Sequence, residues 1–184
     1  DDGVVTQEQE VTVSSSVANY GSGDVVIVGV SSEGFNQTLM DCHQESLSAS
    51  DVYECSSKLT VPKNAELTDI HWSQEPGADR YIFQDDVPFG APFRPTPFRL
   101  TFQIRFGSTL VNFERPIEYR YGDDLFTGEK RAALKVVPKL TVTLTPTTAV
   151  IPLHARTLEF RATVTNADLG ISTGDVTLDL PAGW

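Results

Sequence analysis

The stretch FRLTFQIRFGSTLVNF, residues 98–113, decides the fold. Phe98, Leu100, Phe102, Ile104 and Phe106 share one parity; Arg99, Thr101, Gln103 and Arg105 share the other. Side chains on a strand alternate between its faces. This run therefore has one face on a core and one in water, as a strand of an antiparallel sandwich requires. Gly107-Ser108 makes a tight connection and residues 109–113 run back, which predicts a β-hairpin.

Working outward, RPIEYRYGDDLFTGEKRAALKVVPKL, residues 115–140, reads as strand, acidic loop and strand. Ile117, Tyr119 and Tyr121 alternate with Glu118 and Arg120. Gly122, Asp123, Asp124 and Gly128 supply turn chemistry. Leu134, Val136 and Val137 form a second extended run that Pro138 ends. Upstream, Val11 and Val13 alternate with Thr12 and Ser14 towards Val17, a first strand, and residues 19–24 make a turn. VVIVGV, residues 25–30, is β-branched and apolar throughout, which predicts a buried central strand. Residues 46–49 (SLSA) are expected to form at most one helical turn, and residues 58–62 (KLTVP) another extended piece.

Residues 65–97 are irregular, and Pro88, Pro92, Pro95 and Pro97 forbid a central strand or helix there. Phe89 and Phe93 are expected to pin this long loop onto a sandwich face or edge. The same loop carries Trp72, Tyr81 and Phe83, and the five aromatics together make the alternative of a sugar-binding platform. After Pro138, residues 140–144, 158–164 and 176–180 read as three further alternating strands. An immunoglobulin-type sandwich takes about seven strands over roughly 100 residues. The expected architecture is therefore all-β: two tandem immunoglobulin-like β-sandwich domains, residues 1–138 complete and 139–184 incomplete.

Bulk composition narrows the function classes. A hydrophobic share of 40% is enough for a core and too high for a disordered chain. The formal net charge of −11 repels phosphate backbones, which argues against nucleic acid and anionic membrane surfaces as partners. No apolar run approaches the roughly 20 residues that span a bilayer. The chain opens at Asp1 without a methionine and stops at Trp184, so it is expected to be a mature or trimmed piece.

The two cysteines, Cys42 and Cys55, lack CxxC spacing and neighbouring histidine pairs, which makes a poor zinc site. A bridge between them would mark an extracytoplasmic chain, the alternative being two free thiols. Gly21-Ser22-Gly23 lacks the third glycine and the following helix of a dinucleotide loop. Ser31 and Ser32 lack a GxSxG frame. Asn36-Gln37-Thr38 fits a glycosylation sequon, relevant in a eukaryotic secretory route. Asp85, Asp86, Asp123, Asp124 and Glu129 could offer oxygen ligands to calcium, Asp123 and Asp124 above all, although no EF-hand spacing is present; the alternative is solvated loop carboxylates.

The segment at residues 115–138 resembles the motif "rPV-x-YRY-D…GE-x-R…l-VvP" in the C-terminal β-rich part of bacterial PIG-L/LmbE-type deacetylase proteins. The upstream pieces follow in the same order: the turn at Asn19-Tyr20-Gly21-Ser22, Val61-Pro62, His71-Trp72 in place of that family's aromatic YW, and FGAP at residues 89–92. The ending VTLDLPAGW, residues 176–184, is similar to a strand end in NPCBM-associated, immunoglobulin-like domains of bacterial carbohydrate-active proteins. The resemblance covers most of the chain and implies an accessory β-sandwich region. The family's zinc site rests on a His-Pro-Asp-Asp-Glu motif. None of His43, His71 and His154 stands in that context, so no catalytic residue carries over. The expectation is a non-catalytic module without cofactor that contacts other protein domains or copies of itself through strand edges, with carbohydrate binding as the alternative.

Overall fold

A computed structural model describes residues 3–122, 126, 128–150 and 157–180. The described residues contain strands, turns and connections and no helix. They form two compact units, Asp1–Val137 and Pro138–Trp184.

In the first unit the strands are β1 (Val4–Val5), β2 (Glu10–Ala18), β3 (Val25–Glu33), β4 (Glu45–Leu47), β5 (Val52–Thr60), β6 (Trp72–Ser73) and β7 (Ile82–Phe83). They continue with β8 (Arg99–Phe106), β9 (Thr109–Pro116), β10 (Glu118–Tyr121), β11 (Lys130–Ala133) and β12 (Lys135–Val136). One layer is a four-stranded antiparallel sheet in the order β4-β3-β8-β9. The other is the antiparallel pair β2-β5. Val13, Tyr53 and Leu59 from the pair join Ile27, Leu47, Leu100, Phe102 and Ile104 from the four-stranded sheet in one hydrophobic core. The short parallel pair β1-β12 and the hairpin β10-β11 complete the unit.

β3 is the interior strand that its composition predicts, with one refinement. Pairing with β8 skips a residue between Ile27 and Gly29, a β-bulge at Val28. The extra residue switches the inward parity, so Val25 and Ile27 point inward before it and Val30 and Ser32 after it. Buried Ser32 is satisfied by donating its hydroxyl to the Gln37 carbonyl at 2.6 Å. β3 then ends at Gly34, whose φ is +84°. A Cβ there would stand 2.6 Å from the Pro97 carbonyl oxygen, so only glycine allows this close approach. It leaves Phe35 free to pack on Phe98, ring centroids 4.6 Å apart.

Cys42 and Cys55 are joined in a disulfide, with Cα atoms 5.7 Å apart. The bond ties residues 36–42 against the outer edge of β5. Along that edge Asn36 N–H donates to the Thr60 carbonyl at 2.9 Å. Thr60 N–H donates to Gln37 Oε1 at 2.8 Å, and Asp41 N–H to Ser57 Oγ at 2.9 Å. One side of the two-stranded layer is thereby sealed.

The second unit contains β13 (Leu140–Thr145) and β14 (Arg161–Asn166), an antiparallel pair with Val142 opposite Val164. Its corner repeats one in the first unit. Asn19 Oδ1 accepts from Gly21 N–H at 3.0 Å while its amide donates to the Gly23 carbonyl at 2.9 Å. Asn166 Oδ1 accepts from Asp168 N–H at 3.0 Å while its amide donates to the Gly170 carbonyl at 2.8 Å. In both, the side chain spans the same offsets, the Asx-type clamp of a turn.

Several expectations are corrected. Residues 46–49 hold no helical turn, because Leu47 is needed opposite Val25 and is drawn into β4. Residues 65–97 contain the short ladder β6-β7, with Trp72 opposite Phe83. The strand expected at residues 158–164 begins only at Arg161 and runs to Asn166, because its start is set by pairing with Thr145. Residues 176–180 join no ladder, since a strand needs a neighbour and none of the described residues supplies one.

Candidate functional site

The two layers are unequal, four strands against two, and the mismatch leaves an open groove of about 970 Å³ beside β2. Its floor includes Leu100 and Phe102 of β8, its walls Val11, Val13 and Ser15 of β2, and its far end Ile117. Ser15 is the smallest inward side chain of β2, so the wall is recessed at mid-strand. On β9, Val111 and Phe113 stand opposite Ile104 and Phe102 and therefore share their inward face. Nothing covers them fully: Phe113 is 39% exposed and touches Phe106 edge to face at 6.3 Å.

The main chain of β2 can be assigned from its partner. Thr60 turns both its carbonyl and its N–H away from β2, to Asn36 and Gln37. Its opposite residue, Glu10, thus belongs to a non-hydrogen-bonded pair. The two pair types alternate along an antiparallel ladder. Glu10, Thr12, Ser14 and Ser16 therefore direct their main-chain groups out of the sheet. Those groups have no protein partner among the described residues. The edge strand of the facing sheet is blunted instead. Arg115 Nη1 donates to the Glu114 carbonyl at 3.0 Å, and Pro116 has no N–H to offer.

The far end of the groove is held by charge. Arg131 Nε donates to Glu129 Oε1 at 2.6 Å, and Arg120 stands 3.6 Å from the same carboxylate. That hydrogen bond, with the two positive charges, holds the Glu129 carboxyl below the usual range. Arg131 also lies 3.7 Å from Glu118 across the β10-β11 hairpin.

The aromatic residues singled out in the sequence lie elsewhere, on and after the β6-β7 hairpin. Trp72, Tyr81 and Phe83 are 40%, 54% and 53% exposed; Phe89 and Phe93 are 101% and 79% exposed. The last two do not pin the loop: the long connection between β7 and β8 is held by Arg94, which bridges Asp86 at 2.5 Å and the Gln84 side chain. The hydrogen bond from Arg94 holds the Asp86 carboxyl below its usual range. Trp72 meets Tyr81 edge to face, centroids 5.0 Å apart and planes at 83°, so these two rings do not form one flat platform. A second cleft, about 690 Å³, lies beside Arg94, Asp86 and Gln84 and extends to Phe98.

Of the calcium candidates, Asp123 and Asp124 lie outside the described residues, as does His154. Among the described residues no three His, Cys, Asp or Glu side chains are grouped to hold a metal ion. No described helix is long and apolar enough to cross a membrane. The groove residues are not signalled by any one strand, because the groove arises between two layers. The available signal was the low inward bulk of β2 and the short count of strands facing residues 98–113. No family model matches the chain, no curated protein matches its sequence, and no solved structure matches its fold.

Proposed function

We propose that the chain is a non-catalytic, extracytoplasmic contact module whose first unit takes up an extended strand from another protein domain. The observation that carries this reading is the free β2 edge beside an open groove between two layers of unequal width. A strand added there would hydrogen-bond to the outward groups of Thr12, Ser14 and Ser16. Its alternate side chains would cover Val111 and Phe113. Main-chain bonds supply affinity and alternate pockets supply selectivity in this mode of recognition. With the added strand the two layers would hold seven strands, the usual complement of an immunoglobulin-type sandwich. The disulfide fits a compartment outside the cytoplasm. The β-sandwich accessory regions that the sequence resembles fit the same role.

The test is amide hydrogen exchange at Thr12, Ser14 and Ser16 during titration with peptides that alternate apolar and polar residues. These amides exchange quickly in the free chain and slow on binding. If a display library of such peptides yields none that slows them, the reading fails.

A second reading is carbohydrate binding by the β6-β7 hairpin. It is favoured by the exposure of Trp72, Tyr81, Phe83, Phe89 and Phe93 near a cleft that contains Asp86, Gln84 and Arg94. It requires affinity for a glycan on an array, lost in Trp72→Ala; an array without hits removes it.

A further inference from the structure

We infer that the open edge of β2 receives residues 176–180 of a second copy of this chain. The inference rests on the strand-acceptor reading above and names the occupant. Residues 176–180 (VTLDL) place Val176, Leu178 and Leu180 on one parity and Thr177 and Asp179 on the other. They form no ladder, and the three apolar side chains are 52%, 54% and 53% exposed. A strand-patterned segment with no strand beside it is a donor in want of an edge.

In both units a Gly-Asp-Val run lies downstream of the repeated corner. In the first unit the Asn19 clamp is followed by Gly23-Asp24-Val25 and then by β3, which lies between two neighbours and contributes Ile27 and Val30 to the core. In the second unit the Asn166 clamp closes on Gly170, and Gly174-Asp175-Val176 and residues 177–180 follow four residues further on. The segment thus has the alternation of a strand and no ladder partner among the described residues.

The groove matches it in length and polarity. Five extended residues span about 17 Å, within the nine residues of β2. Val176, Leu178 and Leu180 would lie over Val111, Phe113 and the recess at Ser15. Arg115, Arg120 and Arg131 line the groove with Glu54 and Glu118, and Glu129 pairs with Arg120 and Arg131, so its charges balance.

The full chain is examined by sedimentation velocity across a concentration series, with two variants. Ser14→Pro removes an outward N–H and leaves the main-chain bonds to β5 in place, at the loss of the exposed 3.2 Å hydroxyl contact between Ser14 and Ser56, and Leu178→Asp spoils the donor. The wild-type chain self-associates, and each variant alone associates about tenfold more weakly or less. An equimolar mixture of the two regains a 1:1 complex, because one partner keeps the groove and the other keeps the segment. That recovery also shows that both variants are folded. A wild-type chain that stays monomeric at every concentration overturns the inference, and so does a mixture that does not recover. If Ser14→Pro abolishes association while Leu178→Asp leaves it intact, the occupant is another segment: the inference falls and the strand-acceptor reading stands. If Ser14→Pro leaves association intact, β2 is not the edge that copies use and the inference falls, while the strand-acceptor reading is decided by its own hydrogen-exchange test.

Discussion

Replacing Cys42 and Cys55 together by serine probes how the smaller layer is closed. The bridge spans 13 residues of sequence. The loop-closure entropy that it removes from the unfolded chain corresponds to about 3 kcal/mol at room temperature. Its second effect is local, because the bond holds residues 36–42 on the outer edge of β5, where Thr60 N–H meets Gln37 Oε1 at 2.8 Å. Urea unfolding followed by tryptophan fluorescence measures the global part. With a slope of about 1.5 kcal/mol per molar urea, the midpoint falls by about 2 M. Hydrogen exchange measures the local part: the Thr60 amide speeds up more than amides at the centre of β8. A midpoint shift below about 0.5 M would refute the loop argument. Equal acceleration at Thr60 and in β8 would show that the strap does not depend on the bond.

Three further outcomes follow from the packing. Gly34→Ala combines a left-handed backbone with a Cβ 2.6 Å from the Pro97 oxygen; we expect a loss of about 2–4 kcal/mol in urea unfolding, from conformational and overpacking costs together. Burial, with a smaller push from Glu45, raises the Tyr53 phenol above its usual 10.0, and its hydroxyl donates to the His43 carbonyl at 3.0 Å. A raised pKa means that the protonated form is favoured in the folded state. This contribution is fully present below pH 10 and is lost as pH rises through the higher folded value. Tyr53→Phe should cost about 1 kcal/mol at neutral pH and remove that alkaline component from a pH series of unfolding midpoints. Arg115→Ala uncovers the Glu114 carbonyl at the β9 edge; light scattering should show more self-association, with stability changed by no more than about 0.5 kcal/mol.

The layered architecture is legible wherever one residue parity is apolar. Residues 98–106 announce a half-buried strand, and β8 buries Leu100, Phe102 and Ile104. Residues 25–30 announce an interior strand, although the bulge at Val28 is invisible because every residue around it is apolar or glycine. Partnership is not legible. Residues 176–180 have a good strand pattern and no ladder, since pairing is a property of neighbours. Leu47 sits in a polar run and still becomes a strand because Val25 offers it an edge. Phe89 and Phe93 look like packing mass, yet the loop is held by Arg94. The groove is the extreme case: it arises from the difference between two layer widths, which no single segment encodes.

The asparagine corner has a last consequence. In the first unit the Asn19 side chain is buried and its amide also reaches the Leu47 carbonyl at 3.0 Å, locking one layer to the other. The Asn166 side chain makes the same bend with no such third contact among the described residues and stands in solvent. The latch has been cast twice, once with its keeper and once without. Any polypeptide that brings a carbonyl within reach of the second latch would find the bend already set, and would need to contribute only backbone.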